Sequence, residues 1–195
     1  MIVATNNAGK VNELKQIFCD YNLVSLKDLN VDIDVEENQN SFFGNAFKKA
    51  KEISLKLNQP TLADDSGICI DAFDGWPGVY TARFLGERVL PRQRNDYILD
   101  RMKGFSKEQR KAKIICVLVC YLPDGRFEFG EGIINGYISE KIKGDNGFGF
   151  DEIFELEDGR NLAELTKEEK NTLSARYFAA VNLKNKLDKI VEIEK

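Results

Sequence analysis

The 195-residue chain contains no histidine. That absence excludes Ser/His and Cys/His nucleophile pairs and His-ligated zinc or haem, and it removes the only side chain whose unperturbed pKa lies near neutrality. Chemistry here must run on carboxylates, amines, hydroxyls, thiols or an oxygen-ligated metal. Long apolar runs are also missing, and the chain begins on strand-like Met1-Ile2-Val3-Ala4 rather than a basic segment with a signal-type apolar stretch, so the expectation is a cytosolic protein without membrane association. No C-x-x-C spacing occurs among Cys19, Cys69, Cys116 and Cys120, which read as reduced and mostly buried small hydrophobes. Positive charge is in slight deficit, 28 Lys+Arg against 32 Asp+Glu, which argues against a protein that coats nucleic acid but allows a local basic pocket for one small polyphosphate.

What is present reads as one α/β domain over residues 1–195, with a mixed sheet. Ile2 to Thr5 is a short strand, Asn6-Asn7-Ala8-Gly9 a polar turn, and the stretch from Lys10 a helix with Val11, Leu14 and Phe18 on one face. A second strand is expected near Asn22 to Leu26. Ser41 is a candidate N-cap for a helix with an apolar stripe of Phe43, Ala46, Phe47, Ala50, Ile53 and Leu57, whose other face carries Lys48, Lys49 and Lys51. Thr61-Leu62-Ala63 and Ile68-Cys69-Ile70 read as two strands interrupted by a turn at Asp64-Asp65-Ser66-Gly67. Pro91 to Met102 is a helix with Ile98, Leu99 and Met102 inward, and Ala112 to Tyr121 with Arg126 to Glu131 form a hairpin about Pro123-Asp124-Gly125. Thr166-Lys167-Glu168-Glu169 fits a capping box opening one final helix through Leu173, Tyr177, Ala180, Leu183, Leu187 and Ile190.

Four segments could carry chemistry. Thr5 to Lys10 has the small residues, helix N-terminus and lysine that phosphates favour, although an Asn-rich helix cap accounts for it equally well. Asp64-Asp65 lies at a strand end, where α/β sheets place ligands. Adjacent strand residues face opposite ways, so one functional and one structural Asp are expected. Glu36 and Glu37 read either as a solvated loop or, folded over the Asp pair, as the second carboxylate that magnesium takes beside phosphate oxygens. Phe148 and Phe150 about Gly149 could offer a ring for a base to stack on, or simply belong to the core.

Six stretches in order resemble the inosine triphosphate pyrophosphatase family, whose members cleave non-standard purine nucleoside triphosphates to monophosphate and pyrophosphate. They are Ala4 to Lys10 with Glu13; Ser41 to Ala46 with Lys49-Ala50; Leu62 to Gly67 running to Asp71; Gly75 to Arg83; Gly147 to Phe154; and Ala163-Glu164-Leu165 through Lys170-Asn171 to Ser174 and Arg176. The resemblance implies an elongated mixed sheet with helices, two lobes around an active-site cleft, and a homodimer. It also implies magnesium, with Asp65 as proton acceptor and metal ligand, Glu36 as further metal ligand and Ser66 as a substrate contact. Thr5, Asn6, Asn7, Ala8, Gly9, Lys10 and Lys49 would hold the triphosphate, and Phe148, Gly149, Phe150 and Asp151 with Lys170 and Arg176 the base. Two positions depart from the family pattern: Ala175 replaces a histidine and Phe150 a tyrosine, so base selectivity is expected to be weaker or to rest on Arg176 and backbone groups. Two other readings remain, a nucleotide-binding sensor without turnover and a related pyrophosphatase acting on modified or pyrimidine nucleotides. A haloacid-dehalogenase-type phosphatase is disfavoured by the missing Asp-x-Asp after the first strand. Without imidazole, no inflection is expected near about pH 6.5 and turnover should rise toward alkaline pH.

Overall fold

In a computed structural model, residues 1–86 and 88–187 are described. They form six strands, β1 (Ile2–Val3), β2 (Val24–Ser25), β3 (Thr61–Ile70), β4 (Lys111–Tyr121), β5 (Phe127–Ile138) and β6 (Phe154–Glu155). The α-helices among them are α1 (Ala8–Ile17), α2 (Phe42–Leu57), α3 (Pro91–Arg101), α4 (Lys167–Leu173) and α5 (Ala175–Leu187). Strand order is β2-β1-β3-β4-β5-β6, with β1 parallel to β2 and β3 and β5 antiparallel to β6, so the expected mixed α/β sheet is present. No helix among the described residues is long and apolar enough to cross a membrane.

The chain divides into two compact units. The first comprises residues 1–66, 116–132 and 175–195, and the second 67–115 and 133–174. In the first, β1-α1-β2-α2-β3 places β1 between β2 and β3, so successive crossovers leave β1 in opposite directions; the end of such a strand is where doubly wound sheets bind ligands. Asn7 starts α1 by accepting the amides of Gly9 and Lys10, and Ser41 starts α2 by accepting that of Gly44. Val11, Leu14 and Phe18 are buried, as the periodicity predicts. Helix α5 lies against β5 where Gly130 and Gly132 leave no side chain: a Cβ on Gly132 would overlap the Ala175 carbonyl and one on Gly130 the Ala179 carbonyl.

The second unit is built around α3, whose Asn95 and Ile98 are buried, as is Met102 at its C-terminal cap, and a cluster in which Arg101 stacks over Phe73 and Trp76 at 4.2 and 4.8 Å. Gly144 packs its α-carbon against the Ala163 backbone, and Asn161 donates to Ser139 Oγ and to the Glu152 carbonyl.

Three expectations are corrected. Asp64 to Gly67 is no turn: β3 runs unbroken for ten residues through both aspartates. Burial on both faces of the strand explains this, because the carboxylates that look turn-forming in sequence are held by buried cations and amides. The final helix is two helices, since Ser174, at ψ 153°, is extended and separates α4 from α5; Ile190 lies outside the described residues. Lys49 is not on a solvated lysine face but buried beside Asn45 and Ala46 on the packed side of α2. The cysteines follow the reading: Cys69, Cys116 and Cys120 are buried, and all four are free thiols.

Candidate active site

In the first unit the site begins where β1 stops. Val3 is the last residue of β1 in register with β3, opposite Leu62, and Ala4 N still donates to Leu62 O at 2.8 Å. Asp64 and Asp65 come next on β3, beyond the paired segment, and the strand's alternation sends their side chains to different sets of neighbours.

Asp64 is 1% exposed and faces α1 and α5. Its Oδ2 takes Lys10 Nζ at 3.0 Å and Arg176 Nη2 at 3.0 Å, while Oδ1 is buried without a partner among the described residues. Arg176 also bonds Glu13 Oε2 and, at 3.2 Å, Ser66 Oγ. Burial alone would raise the Asp64 pKa, but Lys10, Arg176 and Lys49 together hold it well below the usual carboxylate range. Burial opposes charge on Arg176 as well, and Asp64 and Glu13 more than restore it. Asp64 is therefore a permanent anion locking two cations.

Asp65 faces α2. Asn45 Nδ2 donates to its Oδ2 at 2.9 Å and Ser66 N to its Oδ1 at 3.0 Å, while Asn45 Oδ1 accepts from Gln39 N, which fixes the acidic segment ahead of α2. Burial, reinforced by the Glu37 carboxylate against the pull of Lys49, pushes the Asp65 carboxyl up to about 6. A group that titrates close to the imidazole range is thus present in a protein without histidine. Lys49 Nζ bonds Glu37 and, at 2.6 Å, the Asp64 carbonyl; burial would lower its pKa, but Asp64, Glu37 and Asp65 raise it.

Of the two neighbouring glutamates, Glu37 is the one coupled to Asp65 and Lys49. Glu36 is exposed, its carboxylate accepting from Asn38 Nδ2 and its carbonyl from Lys48. Nothing in the sequence distinguishes the two, because which one turns inward depends on the tertiary anchor at Asn45. Among the described residues no group of three or more acidic or cysteine side chains forms a ready-made metal cage. Magnesium needs no such cage: one or two carboxylates beside substrate phosphates suffice, and Asp65 with Glu37 is a donor set of that kind, whereas the expected Glu36 carboxylate is turned to Asn38.

The loop Thr5 to Lys10 is tighter than a phosphate cradle drawn from sequence. Asn7 Oδ1 accepts the Gly9 and Lys10 amides at 2.9 and 3.3 Å, and Thr5 Oγ1 accepts the Asn7 amide at 3.2 Å. Three of the amides expected to face an anion are already bonded inside the loop. Lys10 itself, and Asn6 and Thr5 on the wall of a cavity of about 580 Å³, are the remaining contributors there.

The second unit holds the aromatic segment. Gly147 and Gly149, at φ +83° and +65°, turn the chain through Phe148 and Phe150. Asp151 Oδ2 closes the turn by accepting Phe148 N at 2.7 Å and the buried Lys170 Nζ at 2.5 Å, and Lys170 Nζ stands 4.3 Å from the Phe148 ring centre. Phe148, Asp151 and Lys170 are thus brought together, with Gly149 and Phe150 on the same turn. Arg176 is placed in the first unit, on Glu13, Asp64 and Ser66. Glu13 and Asn45, which structure ties to Arg176 and Asp65, are visible in the sequence only as members of recurring stretches.

A family model described as the Ham1 family matches residues 1–186. The chain is 40% identical to a dITP/XTP pyrophosphatase of Clostridium perfringens, covering 98% of each chain. It is 39% identical to a dITP/XTP pyrophosphatase of Bacillus subtilis, covering 98% of this chain and 96% of that one. Among solved structures, the Ham1 protein of Staphylococcus aureus superposes with a TM-score of 0.85 at 34% identity, covering 96% of this chain and 97% of that one.

Proposed function

Because the chain belongs to the Ham1 family across residues 1–186, we propose that it hydrolyses non-standard purine nucleoside triphosphates, ITP, dITP and XTP, to monophosphate and pyrophosphate in a magnesium-dependent reaction. The observation that carries this reading is the division of labour on β3. Asp64 is a fixed anion and Asp65 a carboxyl poised near neutrality, which is what a general base requires. Attack of water on the α-phosphorus needs an acceptor for the water's proton, and Asp65 Oδ1 or Oδ2 is that acceptor. Lys10 and Lys49 neutralise the triphosphate, and Ser66, held by Arg176, contacts it. Magnesium, when held by Asp65 with Glu36 or Glu37, supplies Lewis-acid stabilisation of the phosphate oxygens. In the second unit Phe148 to Asp151 with Lys170 read the base, while Arg176, resting on Asp64, acts from the phosphate side in this reading. The reading takes residues 1–195 as one catalytic domain in the cytoplasm, working as the homodimer that the family resemblance implies.

The test is a substrate panel assayed for pyrophosphate with and without magnesium. Pyrophosphate, not orthophosphate, is expected from ITP, and only with metal. If kcat/KM for ITP exceeds that for ATP by less than about tenfold, the specific-purine reading is removed. No turnover of any triphosphate would leave the sensor reading instead.

A further inference from the structure

Asn95 is fully buried on α3 and belongs to none of the stretches that mark the family. Its Nδ2 donates to the Gly149 carbonyl at 2.8 Å and to Glu152 Oε2 at 3.3 Å. Both partners can only accept, so the orientation of the amide is fixed, and its Oδ1 is left buried with no partner among the described residues. A buried amide with one end unsatisfied costs stability that an apolar side chain of similar size would not. What the amide supplies is its grip on the turn.

That grip falls at the centre of the aromatic segment. Gly149 lies between Phe148 and Phe150 and has positive φ, so its own backbone has wide freedom. Asp151 and Lys170 restrain the turn from α4, and Arg92 at the exposed side of α3 reaches Glu152 at 3.4 Å. Asn95 is the buried restraint on the peptide joining the two phenylalanines. We propose that Asn95 is a positioning residue for base recognition, acting through the Gly149 carbonyl to set the placement of Phe148 and Phe150. The inference rests on the reading that this turn takes the purine base.

Three variants test it together, each assayed for kcat and KM with ITP and with ATP alongside thermal melting. Asn95→Leu keeps the volume and removes the donor. It should lower kcat/KM for ITP roughly two- to tenfold, carried by KM with kcat within about twofold, and shrink the ITP-to-ATP preference. Ile98→Val, a buried neighbour on the same helix, should lower the melting temperature and leave the preference unchanged. Asp151→Asn checks the underlying reading and should shrink the preference. If Asp151→Asn does so and Asn95→Leu does not, or if Ile98→Val shrinks it as much as Asn95→Leu, the positioning role is wrong while the base reading stands. If Asp151→Asn leaves the preference intact, the base reading itself fails and the inference with it. Asn95→Ser, which retains a shorter donor, is read by the same criteria should the leucine variant not fold.

Discussion

The two compact units hold charge in different ways. In the first, Lys10, Asp64, Arg176 and Glu13 are joined by ion pairs beside β3, and Lys49 with Glu37 makes a further pair next to Asp65, most of these residues being buried. In the second, the turn Gly147 to Asp151 is tied to α4 by a buried ion pair, Asp151 with Lys170, set beside the Phe148 ring and backbone amides. Dense compensated charge suits a polyanion and proton transfer; one oriented pair beside a ring suits a flat, weakly polar base. On the proposed reading the difference separates rate from selectivity, and each prediction can break that separation.

The largest effect is expected from Asp65→Asn, which should lower kcat about a hundredfold or more for every substrate alike. Steady-state rates for ITP and ATP check it, and retention of more than about a tenth of wild-type turnover would remove Asp65 as the base. Arg176→Ala leaves Asp64 and Glu13 buried without their shared cation and should cost about 3–5 kcal/mol of stability, read by denaturant unfolding. Unchanged stability would mean that the charge chain is not a structural unit.

A third effect concerns pH. The folded Asp65 carboxyl titrates at about 6 against 3.8 for the free side chain, so its ionisation opposes folding. Between those values the folded protein binds more protons than the unfolded chain, so this group makes stability fall as pH rises. Its destabilisation is complete above about pH 6, amounts to about 3 kcal/mol, and is relieved as pH drops toward 4. Unfolding curves of wild type and Asp65→Asn in metal-free buffer should diverge across that window; parallel curves would contradict it. No imidazole inflection is expected in turnover, and a carboxyl inflection near pH 6 in the kcat profile is the corresponding expectation for Asp65. The smallest effect is that of Asp151→Asn on rate: kcat for ATP should stay within a few-fold, while ITP loses roughly tenfold in kcat/KM through the weakened Lys170 pair. A comparable loss for both nucleotides would merge the two regions' roles.

Much of this was legible in the sequence because local signals and tertiary contacts agree. Asn7, Ser41 and Thr166 cap the helices their side chains predict, and the paired aspartates lie at the end of the first parallel pair. The opposite orientation of Asp64 and Asp65 also follows from strand alternation, because β3 is unbroken and no turn re-aims either carboxylate. The failures occur where distant charges override local preference. Asp64-Asp65-Ser66-Gly67 has turn chemistry, yet Lys10, Arg176 and Asn45 from three separate helices stabilise it as strand. Lys49 looks solvated on a helical wheel because the carboxylate and carbonyl that bury it lie elsewhere in the chain. Asn95 gives no sequence signal, since a lone asparagine inside a helix is unremarkable until the carbonyl opposite it is known.

Lys10 and Lys49 are each engaged by the protein's own carboxylates, Asp64 and Glu37. The resting site therefore works as an ion exchanger whose counter-ions are tethered. An arriving anion gains no bare positive charge; it gains only the difference between its own attraction and that of the carboxylate it displaces. Singly charged anions have little to offer in such a trade, whereas a triphosphate, on the proposed reading, would trade with both lysines. The same side chains that keep the interior neutral at rest thus set a minimum valence for entry.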